Sequence, residues 1–231
     1  MYIAFLEITL FMNKIKIAFI VFLSVAVLDV IGVLFQIPIL RLLFKPLILL
    51  SLIVLYSLSV SNSNKVYILA LLFSFLGDVF LLFLGELNFI LGLVSFLIAH
   101  LIFIKIIIKR IEKSSIKIII GSSFLFFVIF CMLIYLLINS LGELLIPVII
   151  YGLTISVFGT VAFIDYLNSK SQKSLWMLAG AIVFVLSDSV LAINKFYTQK
   201  LLFEVIVMST YILAQFLIYR SMILENKSDK N

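Results

Sequence analysis

The sequence has few residues of the kinds that build metal centres and disulfides. It contains one histidine, His100, and one cysteine, Cys131, among 231 residues. Zinc sites require three or four protein ligands from His, Cys and carboxylates, so we expect no metal. A single cysteine cannot form an intramolecular disulfide, and Cys131 lies in an apolar run, which predicts a small buried side chain. The sequence has neither a glycine-rich phosphate loop nor a serine-hydrolase motif, and we expect no other cofactor.

Charged residues are also scarce, at 12% of the chain, whereas 65% of the residues are apolar and the mean hydropathy is +1.35. These values exclude a soluble globular domain. The apolar runs are longer than the strands of a lipid-facing barrel, in which polarity alternates at every residue. Helices satisfy the backbone hydrogen bonds in lipid, so the composition predicts an all-α membrane protein. Its basic residues flank the apolar runs and set orientation, which argues against a nucleic-acid partner.

Eight apolar stretches of membrane-spanning length follow one another along the chain. The predicted transmembrane helices cover residues 16–35, 42–60, 66–84, 88–108, 117–139, 143–165, 174–194 and 201–221. The connections are too short for a soluble domain, so residues 1–231 are predicted to form a single transmembrane domain. The first 15 residues lack a signal-peptide cleavage site, which favours a short interfacial lead-in.

Orientation and internal repetition follow from these eight spans. Most of the 17 Lys and Arg residues fall on the side that carries both chain ends, which predicts cytoplasmic N- and C-termini, and the expected location is the bacterial inner membrane. The segments FSFLGDVFLL (73–82) and FVLSDSVLAI (184–193) each place a small residue before an aspartate. Both begin on the same side, which predicts two parallel four-helix repeats.

Two aspartates inside the predicted spans are the main functional signal. A charged side chain at a helix centre in the membrane costs about 2.5–3.5 kcal/mol. Asp78 and Asp188 both lie about 18–21 Å from the inner end of their spans by the helical rise. If the two carboxyl groups are close together in an apolar pocket, they should not both stay ionised, which leaves an acid beside a base. The alternative is that each aspartate only forms hydrogen bonds between helices.

Other polar residues lie near the same level. Ser74 is one turn before Asp78, Ser187 directly precedes Asp188, and Tyr151 reaches a similar depth from the other side. We expect these three side chains to orient the acids or a water molecule.

Three further polar residues each have two possible roles. His100 and Gln215 lie somewhat deeper. His100 either pairs with an aspartate as a proton carrier or forms hydrogen bonds that link two helices. Asp29 has no counterpart in the second repeat and either lines the site or joins helices. Lys45 and Pro46 begin the second span; the lysine either extends its charged end to the membrane surface or meets a lipid phosphate or an acidic partner.

The same residues fall in motifs spread over spans two to eight. These are Lys45-Pro46, SxxGD at 74–78, Gly92, Phe96 and His100, Tyr151, FxxSDxxLA at 184–192 followed by Asn194 and Phe196, and YILAQ at 211–215. In this order the motifs resemble the lysoplasmalogenase-like YhhN family of membrane proteins. The first span matches least, so Asp29 receives no role from the resemblance.

The resemblance implies an eight-span enzyme that hydrolyses the vinyl ether bond of lysoplasmalogens. Its partners would be a lysophospholipid, water and membrane lipids, and no protein partner is evident. Vinyl ether hydrolysis needs a proton donor and a water that captures an oxocarbenium-like cation, as two carboxyl groups provide in glycosidases. Asp78 and Asp188 are the predicted acid/base pair. The predicted supporting residues are Lys45, Ser74, His100, Tyr151, Ser187, Tyr211 and Gln215, with Asp29 and Asn194 as further candidates.

Two other functions are compatible with these residues. One is a proton-coupled transporter or lipid scramblase that uses the same acids, and the other is a non-catalytic scaffold.

Overall fold

A computed structural model describes residues 2–111 and 113–228, with side chains over 12–111 and 113–226. Within these ranges the chain forms eight α-helices. They are α1 (Tyr2–Leu34), α2 (Pro38–Ser59), α3 (Lys65–Phe80), α4 (Glu86–Ile108), α5 (Ile116–Leu137), α6 (Leu145–Ser169), α7 (Gln172–Phe196) and α8 (Leu201–Ser228). Two 3-10 turns, Ile138–Ser140 and Gly142–Leu144, connect α5 to α6. All helices except α3 are long and apolar enough to cross a membrane, so the prediction of a helical membrane protein is confirmed.

The third predicted span is longer than the helix that the structure places there. α3 ends at Phe80, and the chain then turns before α4, with Gly85 at a φ of 116°. Its 16 residues cover about 24 Å at 1.5 Å per residue, which is less than a bilayer core of about 30 Å. The sequence between residues 81 and 84 is still apolar, so hydropathy alone did not mark the end of the helix. An eighth complete crossing therefore stays a prediction.

Two helices at the edges of the bundle differ in detail from expectation. α1 begins at Tyr2, so the predicted lead-in continues directly into the helix of the first span. α5 packs mainly on α6, and only Ser122, Phe126 and Leu137 are buried along it. The prediction that Cys131 is buried was wrong, because Cys131 lies on the exposed side of α5.

The helices pack as hairpins, α1 on α2, α3 on α4, α5 on α6 and α7 on α8. Between the hairpins, α6 packs on α4 and α2 packs on α8. The α4–α6 contact of one half thus corresponds to the α8–α2 contact of the other, and the parallel repeat itself stays a prediction. Arg41, near the start of α2, pairs with Glu204, near the start of α8. At the other end of the bundle, Ser61, just beyond α2, donates to Asn226 in the last turn of α8 at 3.5 Å. The end of the bundle that contains Arg41 is called the vestibule end below.

The opposite end is held by a cluster of charged side chains around Arg110. Its guanidinium donates from Nε and Nη2 to the two carboxylate oxygens of Glu225, both at 2.9 Å, and from Nη1 to Ser221 at 3.3 Å. Asp165 Oδ2 lies 3.7 Å from the same Nη1, and the side chains of Arg110 and Asp165 are 6% and 3% exposed. Asp165 ends the predicted sixth span, where a polar residue is ordinary, so its burial was not predicted. We call this end the Arg110 end.

Candidate functional site

Asp78 lies in the last turn of α3, where α2 and α8 also meet it. Its carboxyl group is 2% exposed, and its Oδ2 accepts a hydrogen bond from the Tyr211 hydroxyl at 2.6 Å. Lys45 Nζ lies 3.9 Å from its Oδ1. Pro38, rather than Pro46, occupies the first turn of α2. Lys45 therefore lies about two turns inside the helix and not at its start. It is therefore buried beside Asp78 instead of extending to the membrane surface.

Asp188 has a similar partner on the other half of the bundle. It lies on α7, two turns before the helix ends at Phe196, and its Oδ2 accepts a hydrogen bond of 2.5 Å from the Tyr151 hydroxyl on α6. Tyr151 is 8% exposed, whereas Asp188 is half-buried. Each predicted acid is thus held by a tyrosine from a neighbouring helix, but only Asp78 also has a cation within ion-pair distance.

Aromatic rings join the surroundings of the two acids. The Tyr211 ring lies edge-on to Phe96 at 5.9 Å and to Phe184 at 5.6 Å between centroids. Phe184 is one helical turn before Asp188. Tyr211, whose hydroxyl donates to Asp78, therefore contacts the face of α7 that carries Asp188. The surroundings of the two acids are therefore connected through the contact between Tyr211 and Phe184.

His100 lies beneath the acids and is not paired with either of them. Its Nδ1 is 2.7 Å from the Phe96 carbonyl oxygen, which only accepts, so Nδ1 carries the proton. Its Nε2 has no partner within the described part of the chain. The ring contacts Phe184 at 4.5 Å and Tyr151 at 5.9 Å, and two more aromatic rings surround it, Phe103 and Phe158. His100 and these rings close the site toward the Arg110 end.

The two predicted serines bond to backbone instead of to the acids. Ser74 donates to the Ala70 carbonyl of its own helix at 3.0 Å. Ser187 donates to the Val207 carbonyl at 3.1 Å, which ties α7 to α8. The structure therefore does not bring either hydroxyl to a carboxylate, and their adjacency in sequence reflects close helix packing.

Two amide side chains complete the predicted set. Gln215 is fully buried one turn below Tyr211, and neither atom of its amide has a hydrogen-bond partner among the residues described. Asn194 accepts a bond of 2.8 Å from the backbone N–H of Lys200, which fixes the turn between α7 and α8. Gln215 thus lies beside Tyr211 in the interior, whereas Asn194 lies at the end of the bundle.

A wide cavity, here called the vestibule, opens at the end of the bundle above Lys45. Its volume is about 810 Å³. Its charged lining consists of Arg41, Lys45, Lys195 and Glu204. Arg41 donates to Glu204 at 3.2 Å. The lining has an excess of positive charge, which suits an anionic group.

A second, narrow cavity of about 60 Å³ lies between α4, α5, α6 and α7; we call it the slot. Tyr151 and Asp188 line it together with mainly apolar residues such as Phe130, Leu133, Ile134, Val148 and Phe196. Phe89 and Leu191 line both cavities. The Phe89 ring lies edge-on to Phe196 at 5.6 Å and beneath Lys195 Nζ at 5.2 Å. Phe89 therefore separates a charged compartment from an apolar one.

Gly77 allows α3 and α4 to approach closely beside Asp78. A Cβ atom at Gly77 would lie 2.5 Å from Cε2 of Phe96, and the Phe96 ring supports Tyr211. We expect Gly77→Ala to lower the free energy of unfolding by about 1–3 kcal/mol through overpacking and to lower activity by displacing Tyr211 from Asp78. The measurement is unfolding in detergent. Gly121→Ala is the control, because nothing lies within 4 Å of a Cβ there; equal stability of the two variants would contradict the prediction.

The fold and the site define a class of protein. It is an α-helical integral membrane protein whose interior contains two carboxyl groups, each bonded to a tyrosine hydroxyl from a neighbouring helix. The chain belongs to the YhhN family, whose family model matches residues 40–222. The predicted resemblance is thereby confirmed, and the match contains both aspartates and both tyrosines but not Asp29. No curated protein and no solved structure matches the chain.

Proposed function

We propose that the protein hydrolyses the vinyl ether bond of lysoplasmalogen-type lysolipids and releases a fatty aldehyde and a glycerophospho-amine. The observation that carries this proposal is the pair of tyrosine-bonded carboxyl groups, Asp78 and Asp188, beside a charged vestibule and an apolar slot. Membership of the YhhN family is consistent with a lysoplasmalogenase-like membrane hydrolase.

The two cavities suit the two ends of a lysolipid. A lysolipid carries one phosphate-containing head group and one hydrocarbon chain. The ammonium groups of Lys45 and Lys195 and the guanidinium of Arg41 line the vestibule and can bind a phosphate. Apolar residues line the slot, where burial of a chain is favourable. The bond between head group and chain would then lie near Phe89 and Leu191, close to Asp188.

The two acids supply what the chemistry requires. A carboxylic acid donates its proton to the vinyl carbon farther from the ether oxygen, and the carbon attached to oxygen becomes an oxocarbenium-like centre. A carboxylate takes a proton from water as the water oxygen bonds to that centre, which gives a hemiacetal. The hemiacetal breaks its bond to the glycerol oxygen and yields an aldehyde and an alcohol. Tyr151 and Tyr211 orient the two carboxyl groups, as effective proton transfer requires.

The test is an assay of purified protein with lysoplasmalogen and, in parallel, with an ordinary acyl lysophospholipid. Aldehyde and fatty acid are both measured. We expect aldehyde from the first substrate and no fatty acid from the second, because two carboxyl groups suit protonation of a vinyl ether and the site described has no activated serine. Fatty acid release would contradict the vinyl ether assignment. Lipid translocation in vesicles without aldehyde release would favour the transporter or scramblase.

The closed lower side of the site favours hydrolysis over transport. A carrier must open its site to each side of the membrane in turn. Below the acids, His100, Phe103, Phe158 and Phe184 pack ring against ring and are at most 1% exposed. A site with one polar opening and a closed base matches an enzyme that takes up and releases ligands on one side.

A further inference from the structure

Asp29 is a fully buried carboxyl group outside the acid pair. It is 0% exposed on α1, and neither Oδ1 nor Oδ2 has a hydrogen-bond partner among the described residues. A buried carboxylate is strongly unfavourable unless a cation compensates it, and otherwise the group holds a proton. Asp29 precedes the matched range 40–222, so family membership gives it no role.

The packing of α1 on α2 places Lys45 opposite Asp29. The two helices run antiparallel and touch at Gly32, where a Cβ would lie 2.9 Å from Leu40 Cβ and 3.2 Å from Arg41 N. Asp29 is one turn before Gly32 on α1, and Lys45 is one turn after Arg41 on α2. In an antiparallel pair these two positions lie at the same level. The positive charges that act most strongly on Asp29 are accordingly those of Lys45 and then Arg41.

Lys45 is also the cation nearest to Asp78. Arg41 is already paired with Glu204 at 3.2 Å, so among the described residues Lys45 is the cation left for both acids. Its Nζ lies 3.9 Å from Asp78 Oδ1, which is an ion pair but longer than a hydrogen bond. The charge of Asp29 acts on Asp78 in turn. The Lys45 ammonium thus lies within ion-pair distance of Asp78 and at the level of the buried Asp29 carboxyl group.

We propose that Asp29 and Asp78 share the Lys45 ammonium and a single proton, which makes Asp29 a positioning residue of the acid/base site. In the arrangement described here, Lys45 pairs with ionised Asp78, and Asp29 holds the proton. When the proton passes from Asp29 to Asp78, the ammonium moves to ionised Asp29. The total charge of the three groups is the same in both arrangements, so Asp78 gains or loses its proton without leaving an uncompensated buried charge. The catalytic consequence rests on the proposed function, whereas the proton sharing does not.

Infrared spectroscopy of the purified protein tests the sharing without substrate. Protonated carboxyl groups have a carbonyl stretching band that carboxylates lack. We expect Asp29→Asn to remove one such band, which identifies the band of Asp29. Asp78→Asn should remove the same band although Asp29 is still present, because Lys45 then pairs with Asp29 and Asp29 ionises. Adding Lys45→Met to Asp78→Asn should restore it.

Asp165→Asn is the control, because Asp165 lies beside Arg110 at the other end of the bundle; the Asp29 band should remain in this variant. Persistence of the band in Asp78→Asn would overturn the proposal, and so would an Asp29→Asn spectrum with no band lost. If Asp78→Asn does not fold, Asp78→Ser is measured in its place. Since no turnover is needed, these outcomes are independent of whether the vinyl ether assay succeeds.

A double-mutant cycle measures the catalytic consequence. We expect Asp29→Asn to lower kcat about 10-fold with little change in KM and Asp29→Glu to restore most of the loss, since general acid–base groups contribute about 10²–10⁴-fold and Asp29 acts on one of them indirectly. In the Lys45→Met background, Asp29→Asn should have no further effect, because Asp29 acts through Lys45. Additive losses would show that Asp29 has a separate, structural role.

Discussion

Asp78→Asn and Asp188→Asn should each lower kcat by about 10²–10⁴-fold, the range that general acid–base groups contribute. Asparagine keeps the shape of the side chain and its capacity to accept from Tyr211 or Tyr151, but it neither donates a proton to carbon nor takes one from water. The measurement is aldehyde release by each purified variant. Elution of the variant as a single species in detergent shows that it is folded.

The matched control is Asp165→Asn. Asp165 is as buried as Asp78, at 2% exposed, but it lies in the Arg110 cluster, away from both cavities. We expect this variant to keep the kcat of the unchanged protein. Full activity in either Asp78→Asn or Asp188→Asn, or an equal loss in Asp165→Asn, would contradict the acid/base assignment.

Arg110→Met should lower the free energy of unfolding by about 3–5 kcal/mol, as expected when one partner of a buried ion pair is removed. The guanidinium forms two hydrogen bonds of 2.9 Å to Glu225 and lies 3.7 Å from Asp165. Without it, two carboxylates of like charge remain close together with less positive charge between them. Unfolding by a denaturing detergent in mixed micelles measures the change.

Arg220→Met provides the comparison for this effect. Arg220 is exposed on the same helix as Glu225 and lies over the Trp176 ring at 5.5 Å. Loss of an exposed cation–π contact should cost only about 0.5–1 kcal/mol. Similar stability of Arg110→Met and Arg220→Met would mean that the cluster does not hold α4, α6 and α8 together.

The helical membrane fold could be predicted from the sequence because apolar runs of this length are typical of helices surrounded by lipid. The ends of helices were harder to predict. The residues after Phe80 are as apolar as those before it, and the end of α3 is set by the turn into α4 at Gly85, which hydropathy does not register. Cys131 was misjudged for a related reason: in lipid, an apolar run has no polar face that distinguishes the exposed side from the buried one.

The site could be predicted in part. Asp78 and Asp188 stand out since acids inside apolar runs are costly, and the structure gives each of them a tyrosine hydroxyl. The partners of the other polar residues depend on helix rotation, which the sequence does not fix. Ser74 and Ser187 bond to backbone carbonyls, and His100 bonds to the Phe96 carbonyl. Asp165 was overlooked because it lies at the end of a span, where its pairing with Arg110 from another helix leaves no sequence signal.

The early end of α3 has a consequence for how the two products separate. Asp78 lies two residues before the helix ends at Phe80, and Leu81 and Leu82 beyond it line the vestibule. Lys45, which pairs with Asp78, also lines the vestibule, so the vestibule comes within one side chain of the acid, whereas the slot borders helix α5. Under the proposed reaction, the glycerophospho-amine returns to the aqueous phase at the vestibule end and the aldehyde passes into the bilayer. Because the two products leave the site into different phases, they do not meet again there, and the reverse reaction is disfavoured.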